Sequence, residues 1–286
     1  MAIEFALWPA CVKTHGFRDQ LQAAASAGCD TLPIGRLTYR HLREVDGHAA
    51  ADIRRMADDM GVRLGHYDGF ARWAPYDFAD GTPVGACEVF ADSVDECLAM
   101  CDALGLPAIC ATGVYDPSVA ELPRLVDAFG RFCERAASHG VQVDLECIPM
   151  WAVPDLATAW AIVGGAACDN GAILLDSWHF FRGAPDLPLL RELPAGSIRT
   201  VQLADAGPLP AGRELLEDCL RFRRLPDEGE LPLGEFIRIL AEKGGVTSIG
   251  PEIFSDRLDD LDAIAAAGQA VRSSREALAA AGFATD

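Results

Sequence analysis

Four oxygen-bearing side chains stand at the ends of short apolar runs in the second half of the chain. Glu146 closes the run Val141-Gln142-Val143-Asp144-Leu145-Glu146, and Asp176 closes Ala172-Ile173-Leu174-Leu175-Asp176. Gln202 ends Ile198-Arg199-Thr200-Val201-Gln202, and Glu252 follows Val246-Thr247-Ser248-Ile249-Gly250-Pro251. A carboxylate after a strand is most often a helix N-cap or a loop residue. N-caps, however, favour Asp, Ser, Thr and Asn over Glu and Gln, so Glu, Asp, Gln and Glu in succession call for another role. Three carboxylates gathered in a partly buried place raise one another's pKa unless a cation accompanies them. The expectation is that Glu146, Asp176, Gln202 and Glu252 converge on one divalent metal.

The donors also suggest the ion. Carboxylate and amide oxygens are hard ligands that suit Mn2+ or Mg2+, with Co2+ as a laboratory substitute, whereas zinc more often has His or Cys in its set. His179, three residues after Asp176, would reach a bound substrate as a hydrogen-bond donor or proton carrier.

For these residues to meet, their strands must share one end of one sheet. Short apolar runs alternate with helical spacing along the whole chain: strands at residues 3–8, 31–34, 62–66 and 107–111 precede the four above. Helices are expected at residues 16–27, 48–60, 84–104, 118–138, 155–164, 187–193, 233–242 and 258–281, with a long excursion over residues 204–231. Strict strand–helix alternation implies parallel strands joined by right-handed crossovers. Eight units in 286 residues favour a closed (β/α)8 TIM barrel, which runs to about 250 residues as one domain, over an open doubly wound sheet. No G-x-G-x-x-G follows the first strand, which removes the commonest cofactor signature of open sheets. The expected organisation is a single barrel domain over residues 1–286, with all four strand-end residues on its C-terminal rim.

Composition narrows the partners. Half the residues are hydrophobic, enough for a large core and unlike a disordered chain. The formal charge of −19 argues against nucleic acid or an anionic membrane, both of which need a basic face. The ten cysteines form no disulfide framework or paired C-x-x-C pattern, and Cys97 and Cys101 read as buried thiols of a helix. The N-terminal residues lack the basic and apolar regions of a signal peptide, and no run approaches the ~20 apolar residues of a membrane span. A cytoplasmic protein is expected.

The sequence resembles the xylose-isomerase-like TIM barrel superfamily, the sugar phosphate isomerases and epimerases with their inosose dehydratase and 3-dehydroshikimate dehydratase relatives. The motifs that carry the likeness are V-D-L-E-C (Glu146), L-L-D-S-W-H (Asp176, His179), V-Q-L-A-D-A (Gln202, Asp205), R-L-P-D-E-G-E-L-P-L and G-P-E-I-F-S-D (Glu252). They lie in the C-terminal half; the N-terminal half agrees in its alternation. The resemblance implies one metal on the four strand-end residues, with His179 touching substrate. It also suggests His66, Trp178 and Arg223 as substrate contacts and leaves room for a homodimer, though no stretch marks an interface.

Within that family, Gln202 looks more like the 3-dehydroshikimate dehydratase branch than the epimerases, many of which have His there. That branch carries paired histidines where this chain reads Cys219-Leu220-Arg221-Phe222-Arg223-Arg224-Leu225-Pro226, so dehydroshikimate itself is a poor match. The chemistry implied is removal of a proton next to a carbonyl, with Glu146, Glu252 and His179 dividing the acid and base roles. The expected substrate is a small polyhydroxy ketone or aldehyde. Reprotonation on carbon would make the chain an isomerase or epimerase; loss of a β-hydroxyl would make it a dehydratase. The loops after the seventh and eighth strands lack a phosphate cradle, so an unphosphorylated substrate is expected. A DNA endonuclease of the same superfamily would need a basic face, and a binding module without catalysis would take up no metal.

Overall fold

The computed structural model describes residues 3–285. Eight parallel strands form its centre: β1 (Glu4–Phe5), β2 (Thr31–Ile34), β3 (Arg63–Phe70), β4 (Ala108–Thr112), β5 (Gln142–Glu146), β6 (Gly171–Asp176), β7 (Ile198–Leu203) and β8 (Ser248–Pro251). From β2 to β8 each strand pairs with its sequence neighbour, and β1 pairs with β8. The circle closes where Ala6 bridges Thr31 in parallel and Leu7 N donates to Thr31 O at 3.0 Å. This is the (β/α)8 barrel expected from the alternation.

The helices pack outside, and their burial follows their spacing. Leu122–Ser138 buries Leu125, Ala128, Phe129, Phe132, Cys133 and Ala136, the three- and four-residue repeat of an amphipathic helix. The Ala-rich Ala263–Ala280 buries one face of small residues and packs beside Phe17–Ser26. Its start is fixed by Asp262, whose carboxylate accepts from Ala265 N at 2.9 Å.

Several expectations change: the third strand runs on to Phe70, and the last long helix begins at Ala263. The single helix over residues 84–104 is two helices, Val84–Val89 and Val94–Leu104. Ser93 and Glu96 form a capping box that starts the second helix afresh. Just before it, Asp92 accepts hydrogen bonds from Arg36 Nε and Tyr67 OH, pinning the break to the barrel. The excursion over residues 204–231 also contains a short helix, Leu215–Arg221.

Side chains alternate between the two faces of a strand, so residues two apart on β3, β5 and β7 point the same way. His66, Asp144 and Thr200 form a buried polar layer low in the barrel. Thr200 Oγ1 donates to Asp144 Oδ2 at 2.7 Å, His66 Nε2 lies 3.1 Å from the same oxygen, and Arg199 Nη1 donates to Asp144 Oδ1 at 3.2 Å. Above it, Ala6, Trp8, Cys110 and Leu174 make a small buried apolar cluster. Two residues further along the strands come Asp68, Thr112, Glu146, Asp176, Gln202 and Glu252, around the C-terminal mouth. Gly250 is needed for this closure, because a Cβ there would collide with the carbonyl of Ala6.

Candidate metal centre and substrate cavity

Glu146, Asp176, Gln202 and Glu252 are buried at the C-terminal ends of β5 to β8. Glu146, Asp176 and His179 each offer one ligand atom, and the three atoms lie within 4.8 Å of one another. Gln202 and Glu252 pair beside them: Gln202 Nε2 donates to Glu252 Oε1 at 3.0 Å. The amide oxygen of Gln202 is buried without a hydrogen-bond partner.

The two carboxylate oxygens of Asp176 have different partners. Its Oδ1 accepts from His179 N at 2.8 Å and caps the helix Ser177–Arg182. The ordinary N-cap reading therefore holds for this residue, while its Oδ2 faces Arg223 in the site. Capping turns the first helical turn inward and brings the His179 ring over the site, with Nε2 3.5 Å from Glu146 Oε1. Ser177 fastens the same turn to β7: its hydroxyl donates to Ala204 O at 2.7 Å and accepts from Ala204 N at 2.8 Å.

Arg223 enters the site from the excursion. Antiparallel bridges Asp205–Arg224 and Phe222–Ser255 hold its segment between the loops after β7 and β8. Arg223 Nη1 donates to Asp176 Oδ2 at 2.8 Å, to Glu252 Oε2 at 3.2 Å and to Glu252 O at 3.1 Å. Nε donates to Cys219 O at 3.0 Å, while Nη2 donates to Cys219 Sγ at 3.2 Å and lies 3.4 Å from His179 Nε2. Trp178 and Phe254 lie against the guanidinium, with ring centroids 5.2 and 5.0 Å away. Every nitrogen of the fork is thus engaged inside the protein. Arg223, expected to contact substrate, lines the cavity and is ion-paired with Asp176 and Glu252.

Two other expected contacts lie elsewhere. His66 sits two residues before Asp68 on β3, roughly 6–7 Å deeper at 3.3 Å per residue. It faces Asp144 and Thr200 and borders a cavity of about 460 Å3 that also reaches Arg199 and Ser248. Trp178 is fully buried behind Arg223 and is not among the residues around the mouth cavity. The residues that the sequence reading missed are Asp68 and Thr112, both lining the mouth, and Cys110, whose thiol donates to Glu146 Oε2 at 3.4 Å. Their signal was the two-residue spacing: His66 and Asp68 repeat the inward pair Asp144 and Glu146.

The electrostatics are those of an anionic site short of positive charge. Burial, reinforced by the charges of Asp176 and Asp68, pushes the Glu146 carboxyl up to about 8. Burial raises Glu252 well above the usual range although Arg223 opposes it, and burial lifts Asp68 to about 6. His179 is driven down to about 3, mainly by burial, so its ring is neutral at pH 7. Burial also opposes the charge on Arg223, but Asp176, Cys219 and Glu252 outweigh it and hold the guanidinium protonated.

A divalent cation fits these residues. Two carboxylates and a neutral imidazole already face one another, the unpartnered Gln202 oxygen adds a fourth donor, and a cation would relieve the raised carboxyls. Because His179 belongs to the trio, the donor set is softer than the all-oxygen set expected, and zinc suits it as well as Mn2+ does.

Residues 21–280 match the model of the xylose isomerase-like TIM barrel family. The chain belongs to this family. A 3-dehydroshikimate dehydratase of Pseudomonas aeruginosa is 28% identical over 192 residues, covering 66% of this chain. The chain spans 28% of that relative's length. Among solved structures, the IolI protein with a binding zinc atom superposes with a TM-score of 0.81 at 18% identity, covering 97% of this chain and 98% of that one. An L-ribulose 3-epimerase superposes with a TM-score of 0.71 at 17% identity, covering 98% and 96%. At these identities the structural likenesses establish the fold. No helix among the described residues is long and apolar enough to cross a membrane.

Proposed function

We propose that this barrel is a divalent-metal-dependent enzyme that removes a proton next to the carbonyl of an unphosphorylated hydroxy-ketone or hydroxy-aldehyde. The observation that carries this reading is the convergence of Glu146, Asp176 and His179 within 4.8 Å, beside the buried, unpartnered oxygen of Gln202. Glu146, Asp176, Gln202 and His179 would hold the ion, with Glu252 beside them. The bound ion would supply a Lewis acid for the charge that develops on the carbonyl oxygen. Mn2+, Mg2+, Co2+ and Zn2+ are the candidates, the last supported by His179 and by the zinc of the IolI structure.

The chain's own groups account for the proton. Glu146 and Glu252 line the cavity, and burial raises both carboxyls toward the basicity that α-proton abstraction requires. Arg223 balances the charge of Asp176 and Glu252 without offering a free donor. Among the described residues no other Arg or Lys lines the cavity, which supports a substrate without phosphate. With His179 among the groups that would hold the ion, Glu252, which lines the same space, is the partner that carries a proton to or from an adjacent oxygen.

Return of the proton to carbon makes the reaction an isomerisation or epimerisation. Loss of a β-hydroxyl instead makes it a dehydration, a second reading favoured by the identity with the P. aeruginosa dehydratase. Proton exchange in D2O tests the shared step. Incubation with keto-sugars, inososes and dehydroshikimate should wash deuterium into one α-position in a metal-dependent way. No exchange on any carbonyl compound, with metal loaded, would refute the proposal.

A further inference from the structure

Of the carboxylates at the mouth, Asp68 is the one without a partner. Glu146 has the Cys110 thiol and the His179 ring beside it, and Asp176 and Glu252 share Arg223. Asp68 is half-buried, lines the same cavity of about 260 Å3, and has no hydrogen-bond or ion-pair partner among the described residues. Its chain neighbour Gly69 packs against an aromatic ring: a Cβ there would lie 3.1 Å from Phe90 Cε1. Phe90 in turn meets Trp151 edge to face, ring centroids 6.0 Å apart at 85°, and both rings line the cavity. An unpaired carboxylate thus stands beside two aromatic side chains inside an enclosed space. Ring faces carry partial negative charge, so this combination attracts cations and repels anions.

Charge balance leads to the same place. When Asp68, Glu146, Asp176 and Glu252 are ionised, Arg223 and one divalent ion together fall one positive charge short. Among the described residues no further Arg or Lys lines the cavity to make up the difference. A neutral substrate that displaced the water over Asp68 would leave that charge buried and uncompensated. A hydroxyl would give the carboxylate one hydrogen bond and no charge. An ammonium group gives up to three donors, cancels the charge, and can rest against the rings. The formal charge of −19 on the whole chain favours the approach of a cation as well.

We infer that the substrate is an amino-substituted hydroxy-ketone or hydroxy-aldehyde, whose ammonium group pairs with Asp68 beside the rings of Phe90 and Trp151. This inference rests on the carbonyl chemistry proposed above and narrows it from hydroxy-carbonyl compounds in general to those that carry a positive charge. Asp68 is then the residue that selects an amine over a hydroxyl. Because the mouth crowds like charges, Asp68→Asn should fold at least as stably as the wild type when metal is absent.

The test is calorimetric titration at pH 7 of protein equilibrated with Mn2+, comparing 1-amino-1-deoxy-D-fructose with D-fructose, which has a hydroxyl in place of the ammonium. The amino compound should bind roughly ten- to a hundredfold more tightly. Asp68→Asn should remove most of that preference by weakening the amine and not fructose, and Phe90→Leu should shrink it several-fold. Equal or tighter binding of fructose would overturn the inference, as would failure of both compounds to bind or a preference that survives Asp68→Asn. Deuterium exchange separates the two claims. If the amine binds through Asp68 but no carbonyl compound exchanges, the carbonyl chemistry falls and the ammonium site stands. Exchange into fructose with no preference for the amine would do the reverse.

Discussion

Arg223 Nη1 lies 2.8 Å from Asp176 Oδ2, both groups almost wholly buried, in a site that holds four carboxylates, Asp68, Glu146, Asp176 and Glu252. The same nitrogen reaches Glu252 Oε2 at 3.2 Å. This residue was expected to contact substrate; it lines the cavity, and its guanidinium is hydrogen-bonded within the protein. Removing one partner of a buried ion pair leaves the other uncompensated and costs about 3–5 kcal/mol. Arg223→Met should therefore lower the stability of the metal-free protein by about that amount in urea melts. Added Mn2+ should restore more stability to the variant than to the wild type, because the ion then supplies the missing charge. Equal stabilisation of both by metal would contradict this.

Glu146 gives the site a pH dependence of definite sign. Its carboxyl, ordinarily near 4.5, is pushed up to about 8 in the folded chain. A raised folded-state pKa means a stabilising contribution that is complete below 4.5 and is lost as pH rises through about 8. Metal-free wild type should accordingly lose stability from pH 5 to pH 8 relative to Glu146→Gln, and saturating metal should abolish the difference. Thermal melts of both proteins at the two pH values measure it; a gap that stays constant or runs the other way argues against an uncompensated carboxyl.

In the proposed site Gln202 lends its amide oxygen, which is buried without a hydrogen-bond partner. Gln202→Met keeps the length and bulk but removes the donor. We expect metal affinity to fall about tenfold or more with the circular dichroism spectrum unchanged. Competition with a chromogenic chelator reads the affinity directly.

The polar layer low in the barrel should behave in the opposite way. Asp144 is fully buried and accepts from Thr200, His66 and Arg199. Asp144→Ala strands those partners and should cost about 3–5 kcal/mol, while deuterium exchange per folded molecule stays near wild type. Loss of exchange in well-folded variant protein would link this layer to the chemistry.

The barrel and the rim residues were legible in the sequence for one reason: strand ends are marked by local pattern, and parallel topology carries every such end to one mouth. Glu146, Asp176, Gln202 and Glu252 follow from that logic. Asp68 did not, because the third strand was ended at His66 whereas β3 continues to Phe70. The commitments of Arg223 were invisible because they depend on bridges between distant loops, Asp205 with Arg224 and Phe222 with Ser255. The break before Val94 was hidden for a different reason. Apolar spacing runs on through residues 84–104, and the Ser93–Glu96 capping box and the Asp92 anchor override it. The apolar walls of the mouth cavity were beyond pattern altogether, since they come from segments far apart in the chain.

Metal uptake by the purified chain tests the central claim most directly. Protein stripped with chelator should rebind one divalent ion per chain, counted by mass spectrometry after offering Mn2+, Mg2+, Co2+ and Zn2+ in turn. Glu146→Gln combined with Asp176→Asn should abolish that uptake while the protein stays folded. A wild-type chain that retains no ion under any of these conditions would contradict the account.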